Sequence, residues 1–209
     1  MNERIAIIGA GDMGRQIAYM GLKNGYNIIG FFDDYNKGGD GIDSLPILGL
    51  IKDIPGRRDC YDSVVIAIGY KHFDLRKQLC EILMKEKIHL KTMVDKRASV
   101  DDTVKIGDGS VIMNGVVLDK GVEIGMNVFI NIGAAVAHDS VISSHSFIAP
   151  RVAIAGFSRI GECNFLGINS TVIDNITTAD HVTVGAGAVV INNLPTDGLY
   201  VGVPAKKIR

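Results

Sequence analysis

Every sixth residue from Val94 to Val190 is aliphatic, with Thr178 as the one exception and no insertion anywhere in the run. Four residues after each member stands a second column of small or short-branched side chains, from Ala98, Val104 and Ser110 on to Ser158. A period of six matches neither the 3.6 of an amphipathic helix nor, alone, the 2 of a half-buried strand. It matches a coil of short strands and turns in which each repeat sends one aliphatic side chain to a shared interior. Both columns then point inward, and residues in other phases do not. Gly107, Gly125, Gly161, Gly167 and Gly185 directly follow an aliphatic member. Glycine there suits corners where the backbone is either crowded or left-handed. A prism of this kind leaves flat outer faces, so oligomer formation is expected.

The chain before this repeat alternates strand and helix. A strand at Arg4–Ile8 runs into Gly9-Ala-Gly11-Asp-Met-Gly14, and a helix follows to about Lys23, closing near Gly25. A second strand is expected at Asn27–Phe32, a glycine-bearing loop at residues 35–44, and a third strand at Ser63–Ile68. Leu75, Leu79, Ile82 and Leu83 predict a helix over Phe73–Lys87, and Leu90–Val94 a last short strand. The expectation is a small parallel α/β domain over residues 1–94, then an all-β domain over 95–209 with a short tail.

Composition excludes several partners. A formal net charge of −1, with no basic stripe, argues against nucleic acid. No apolar run approaches the roughly 18 residues of a membrane span, and the N-terminal apolar stretch is too short for a signal peptide. Cys60, Cys80 and Cys163 lack ligand spacing, which reads as a cytosolic chain with reduced thiols.

Two patterns bear on chemistry. Gly9, Gly11 and Gly14 between a strand and a helix, with Asp33 some twenty residues on, satisfy the dinucleotide-binding fingerprint. A nicotinamide-dependent oxidoreductase is therefore one reading, although a unit of about ninety residues falls short of a full Rossmann domain. His138 lies in neither inward column, so it faces outward, and Asp139 follows it. Such a pair can act as a base with an orienting acid, or be a solvated surface pair.

A resemblance extends over almost the full length. Ile7–Gly14, Gly30-Phe-Phe-Asp-Asp34, Ala67-Ile-Gly69, Asn131–Asp139, Phe165–Ser170 and Gly202-Val-Pro-Ala-Lys206 together resemble the sialic-acid O-acetyltransferase-like group of hexapeptide-repeat acyltransferases. Better-understood members of that group N-acetylate nucleotide-linked 4-amino sugars. The resemblance implies a Rossmann-like α/β unit before a left-handed parallel β-helix, a homotrimer, and acetyl-CoA as co-substrate without a metal. The activity it implies is N-acetylation of a nucleotide-activated 4-amino-4,6-dideoxy sugar, with His138 as general base and Asp139 orienting it. It further implies that the loop of Gly9, Gly11 and Gly14 receives the diphosphate at a helix N-terminus. Asp33 or Asp34 would meet the base or ribose, and Gly69, Tyr70 and Lys71 would complete the pocket. Asn131 would lie near the sugar amine or the base; a left-handed corner asparagine is the plain alternative. Gly156 would offer its N–H to the thioester carbonyl, or be an ordinary turn glycine. Ala186 and Gly187 would leave room for the pantetheine arm. The tail with Pro204 and Lys206 would meet coenzyme A phosphates, against the alternative of a frayed, solvated terminus.

The chain departs from the family on one rung. Family members usually carry a second histidine nine residues after the base, where this chain has Phe147; His145, two residues earlier, either substitutes by a local shift or, as expected, lies at the surface. Ser143 and Arg151 stand where glycines are common. A zinc site shared by His145 and His181 is excluded within one chain. Thirty-six residues are two coils, about 9.6 Å, too far for two ligands at about 2 Å from one ion. Sugar O-acetylation and a non-catalytic nucleotide-sugar-binding module remain the alternatives to N-acetylation.

Overall fold

The computed structural model describes residues 3–36 and 44–209. Residues 37–43 of the expected loop lie outside the described residues. The chain divides into two compact units, Met1–Met93 and Val94–Arg209.

In the first unit, β1 (Arg4–Ile8), α1 (Asp12–Asn24), β2 (Asn27–Phe32), β3 (Ile47–Gly49), β4 (Ser63–Ile66) and α2 (Phe73–Lys85) follow in order. The sheet is parallel with order β3-β2-β1-β4. The central strand β1 is apolar and buried along Ile5–Ile8, as a parallel strand covered on both faces must be. α1 closes where expected, because Gly25 takes φ 86 and donates its N–H to the carbonyls of Gly21 and Leu22.

Several boundaries differ from the sequence reading. β4 stops at Ile66 rather than Ile68. α2 ends two residues early, and Lys87 beyond it adopts φ 55, outside helical space. Of its apolar residues, Leu79 and Leu83 are buried, while Leu75 and Ile82 are exposed. In place of a strand over Leu90–Val94 there is a single bridge from Leu90 to Val64 and a two-residue strand, Met93–Val94. The short β3 and the 3₁₀ segment Ile51–Arg57 carried no periodic signal strong enough to be read.

The second unit is a parallel β-helix. Two-residue strands pair with the strand eighteen positions on: Glu123 with Val141, Phe129 with Phe147, Ala135 with Ala153. One coil is therefore three repeats, and the strands stack into three sheets. From Ile112 to Val190 every member of the aliphatic column is at most 4% exposed. Each such side chain contributes roughly 1.5–3 kcal/mol on burial. The second column continues inward beyond Ser158 through Asn164, Ser170, Ile176, Val182 and Ala188.

Serines can stand in a buried column because they join coils. Ser110 Oγ donates to Gly125 O at 2.8 Å and accepts from Val128 N at 3.0 Å. Ser146 repeats the pattern with Gly161 O and Asn164 N. Thr178 is polar for the same reason, since its hydroxyl accepts the Gly161 N–H at 2.9 Å.

The corner glycines of the sequence reading are needed for space rather than for a left-handed backbone. A Cβ on Gly107 would stand 2.6 Å from Gly125 C, and one on Gly167 2.6 Å from Ala186 N. The left-handed position falls two residues later. Every sixth residue from Gly109 to Gly187 has φ between 50° and 72°. The tail is not frayed: Val201 pairs with Lys206 and Tyr200 with Lys207 in an antiparallel hairpin, and Lys207 Nζ donates to Thr196 Oγ1.

Candidate active site

His138 sits in the turn between strands Ala135–Val136 and Val141–Ile142. Its side chain is 48% exposed, and Asp139 Oδ2 lies 3.1 Å from Nδ1. A carboxylate only accepts, so the neutral imidazole carries its proton on Nδ1 and keeps the Nε2 lone pair free. The pairing of adjacent residues depends on backbone geometry, because Asp139 occupies the left-handed position with φ 58.

Glycines on the neighbouring coils give both side chains their space. A Cβ on Gly156 would stand 2.8 Å from His138 Cε1 and 2.9 Å from Nε2; one on Gly121 would stand 2.6 Å from Asp139 Oδ1. Phe157 packs its ring against the imidazole, centroids 5.0 Å apart and planes at 88°. Among the described residues the Gly156 N–H meets no acceptor within the chain. Most N–H groups in this corner phase are likewise left outward, so the donor is available without being unusual.

Beside this corner runs a groove of about 460 Å³ on the sheet of Val117, Ala135, Ala153 and Thr171. The alanines at the outward phase make it a groove rather than a flat face. Its wall includes Ala137 and Ala155, the residues before His138 and Gly156, and Asp119 and Asp174 supply its charge.

The other expected residues of this unit fall elsewhere. Ala186, Gly187, Pro204 and Lys206 are not among the groove's lining. Ala186, Pro204 and Lys206 are exposed, and Gly187 is an exposed left-handed corner with φ 67. Asn131 is half-buried and not left-handed; its Oδ1 accepts the next residue's N–H at 2.8 Å.

His145 corrects an expectation: it is buried, not at the surface, with its side chain 5% exposed. Asn127 Nδ2 meets its Nδ1 at 3.1 Å, and Glu162 Oε1 lies 3.8 Å from Nε2. Phe147, at the position of the second family histidine, stacks on Phe129 at 4.9 Å and tilts against Phe165 at 5.8 Å. The departure from the family thus forms part of an aromatic ladder. Among the described residues no three His, Cys, Asp or Glu side chains could hold a metal ion, and no helix is long and apolar enough to cross a membrane.

Within the first unit the glycine loop divides by purpose. Gly9 takes φ 102 and sits against Ala67 O, and a Cβ on Gly14 would collide with Gly9 O. Those two glycines serve the close packing of strand and helix. Gly11 and Gly69 have neither a positive φ nor any neighbour within 4 Å of where a Cβ would be. They follow β1 and β4, adjacent parallel strands, at the carboxyl edge where ligands of such sheets bind. Gly11 caps α1 without a side-chain hydrogen bond, so the first-turn N–H groups stay open to an anion.

Asp33 is committed to holding this loop. It is 7% exposed, and its carboxylate accepts the N–H groups of Ala10, Tyr35 and Asn36. Burial acts to raise its pKa, but these donors outweigh it and hold the carboxyl below its usual range. Asp34 is exposed and accepts the Ile51 N–H at 2.9 Å. Tyr70 and Lys71 are exposed in a 3₁₀ turn, Tyr70–His72, that starts from Gly69.

Sequence reasoning missed Phe157 and the small outward residues of the groove. The left-handed phase was legible in Gly109, Gly115, Gly121, Asn127, Gly133, Asn169, Asn175 and Gly187, spaced by multiples of six. Asp139, His145, Arg151, Phe157, Cys163 and His181 interrupt that series, and Phe157 is the one aromatic hydrocarbon among them.

Comparison with known proteins gives the same architecture. Residues 4–83 match the PglD N-terminal domain family. The acetyltransferase domain of PglB from Neisseria gonorrhoeae FA1090 is 28% identical, with a TM-score of 0.92 over 99% of this chain and 100% of that one. PerB from Caulobacter crescentus, solved in complex with CoA and GDP-perosamine, is 29% identical, with a TM-score of 0.91 over 98% of this chain and 97% of its own. WeeI from Acinetobacter baumannii AYE is similar at 22% identity and a TM-score of 0.74, a likeness of fold alone. The coil of stacked two-residue strands is therefore the left-handed parallel β-helix. With a PglD-type domain over residues 4–83 before that helix, the chain is similar over its full length to the acetyltransferase domain of PglB and to PerB.

Proposed function

We propose that this chain transfers acetyl from acetyl-CoA to the amino group of a nucleotide-linked 4-amino-4,6-dideoxy sugar, with His138 as general base. The observation that carries this reading is the His138–Asp139 pair, half-exposed, with Nδ1 engaged and Nε2 free, beside a groove lined by small side chains. The full-length likeness to PglB and PerB supports the substrate class, since those proteins were solved with acetyl coenzyme A and with CoA and GDP-perosamine.

The sugar amine attacks the thioester carbonyl, forming the C–N bond and a tetrahedral intermediate. Nε2 of His138 takes the proton that the amine loses. The Gly156 N–H faces the oxyanion, where one well-placed donor is worth about 10²–10³ in rate. The C–S bond then breaks, and the proton passes from His138 to the departing coenzyme A thiolate. Juxtaposing two bound substrates supplies much of the remaining acceleration. The open N-terminus of α1, with Gly11 and Gly69, receives the diphosphate, and Asp33 shapes that loop rather than contacting the ligand. Asp34, Tyr70 and Lys71 contribute to the nucleotide pocket, Asn131 to the sugar, and Ala186, Gly187, Pro204 and Lys206 to coenzyme A.

The working form is a homotrimer. Exposed Ile132, Ile168 and Ile173 surround the small-residue sheet, whereas the sheet carrying Lys105, Glu123 and Arg159 is charged. Apolar faces of this kind favour burial between copies. Cytoplasmic polysaccharide biosynthesis is the setting in which acetyl-CoA and such nucleotide sugars meet. The test is acetyl-CoA consumption across a panel of nucleotide-linked amino and hydroxyl-only sugars, with sedimentation for the oligomer. Turnover only with hydroxyl sugars, or none with any sugar, sinks the N-acetyltransferase reading.

A further inference from the structure

Phe157 holds an expensive conformation without an evident structural return. It lies in the left-handed region at φ 58, where glycine or asparagine fills eight of the fourteen equivalent corners. A bulky residue with that φ is an outlier that surrounding structure must enforce. Burial within the chain does not explain it, because Phe157 is 54% exposed there. Its aromatic partner is the His138 imidazole, at 5.0 Å and 88°, and its own N–H donates to the His138 carbonyl at 3.1 Å.

A half-exposed imidazole on two rotatable bonds is not held by one hydrogen bond at 3.1 Å to a half-exposed carboxylate. Yet a base must keep its lone pair within hydrogen-bond reach of the proton it removes. Gly156 leaves space on one side of the ring, and space alone positions nothing. We infer that Phe157 is a positioning residue: its ring closes the side of the imidazole that Asp139 leaves open, fixing the direction of the Nε2 lone pair. The inference rests on the proposed role of His138, and it explains why a strained aromatic stands directly after the glycine that accommodates that ring. Exposed Arg151 and His181 share that strain, so what singles out Phe157 is its ring against the His138 imidazole.

The test is Phe157→Gly, which removes the ring and relieves the backbone. The melting temperature is expected to stay level or rise, while kcat falls about tenfold or more, as for a displaced catalytic group, at unchanged KM for both substrates. Phe157→Tyr should restore kcat to within about twofold of the original, since the ring is retained. Arg151→Gly relieves the same backbone strain at another corner, φ 60, and should leave kcat unaltered. A ring readout needs no turnover. With ¹³C-labelled histidine, the signal assigned through His138→Gln should report one tautomer in the unsubstituted protein and an averaged ring in Phe157→Gly. Unaltered kcat and ring signal in Phe157→Gly, or a lowered melting temperature with kcat intact, overturns the inference. Should the unsubstituted protein turn over no sugar at all, the proposed function fails, and the ring signal alone decides Phe157.

Discussion

Two histidines seven residues apart on the same prism have opposite circumstances. His138 is half exposed, donates its Nδ1–H to the Asp139 carboxylate and keeps Nε2 free. His145 is buried, accepts from Asn127 at Nδ1 and directs Nε2 toward Glu162. One imidazole has a lone pair available to solvent and substrate; the other has both nitrogens turned to the chain. Their backbones are close relatives, since His138 precedes a left-handed corner and His145 occupies one. Adjacent positions of the same kind of turn thus acquire different chemistry from what covers them. Asn127, His145 and Cys163 stack eighteen apart with at most 4% exposure, whereas Phe157, in the corresponding stack at another of the three corners, stands open.

The contrast can be broken most severely at His138. His138→Ala should cut kcat by at least about 10², the usual worth of a positioned base, with a melting temperature close to the original. Steady-state kinetics beside thermal unfolding checks it, and near-original turnover removes His138 from the chemistry. Gly156→Ala comes next. The new Cβ would press on the imidazole at 2.8 Å, and a displaced base is expected to lose up to about 10² in kcat. Unchanged kinetics would mean that the ring tolerates displacement.

His145→Ala tests the other corner. It should leave kcat per folded molecule alone but lower stability by about 1–3 kcal/mol, because Asn127 loses its buried partner. Denaturant unfolding measures this, and a stable but inactive variant would make His145 the functional group. Glu162→Gln should be the mildest, below about 1 kcal/mol, since the pair is long and Glu162 partly exposed. A loss larger than that of His145→Ala would show the buried corner to be organised around the carboxylate.

Much of this was readable beforehand, and the reasons for the remainder are specific. The six-residue period gave the interior correctly because inward phase follows directly from the spacing of Ile112, Leu118 and Ile124. It also placed His138 outward. It could not place His145, because a period of six treats three corners alike while a coil of eighteen distributes them to three sides. The glycines after the aliphatic column were found, but the choice between crowding and left-handed backbone awaited the coil above: Gly107 is confined by Gly125, a residue eighteen positions away. A ligand role for Asp33, with Asp34 as its alternative, rests on the spacing from the glycine loop and on the resemblance. In the fold its carboxylate is occupied by the N–H groups of Ala10, Tyr35 and Asn36, none of which the spacing reveals.

By itself the sequence determined the β-helix, the α/β unit before it, and the outward face of His138. Each of these follows from local periodicity, which survives in one dimension. Tertiary structure decided that His138 has glycine beneath it and Phe157 beside it, that His145 is buried, and that Ala135 and Ala153 line one groove. Those facts depend on neighbours eighteen residues apart being brought within contact, and on which side of the prism is covered. Spacing along the chain encodes the direction of a side chain; only the fold supplies what it meets.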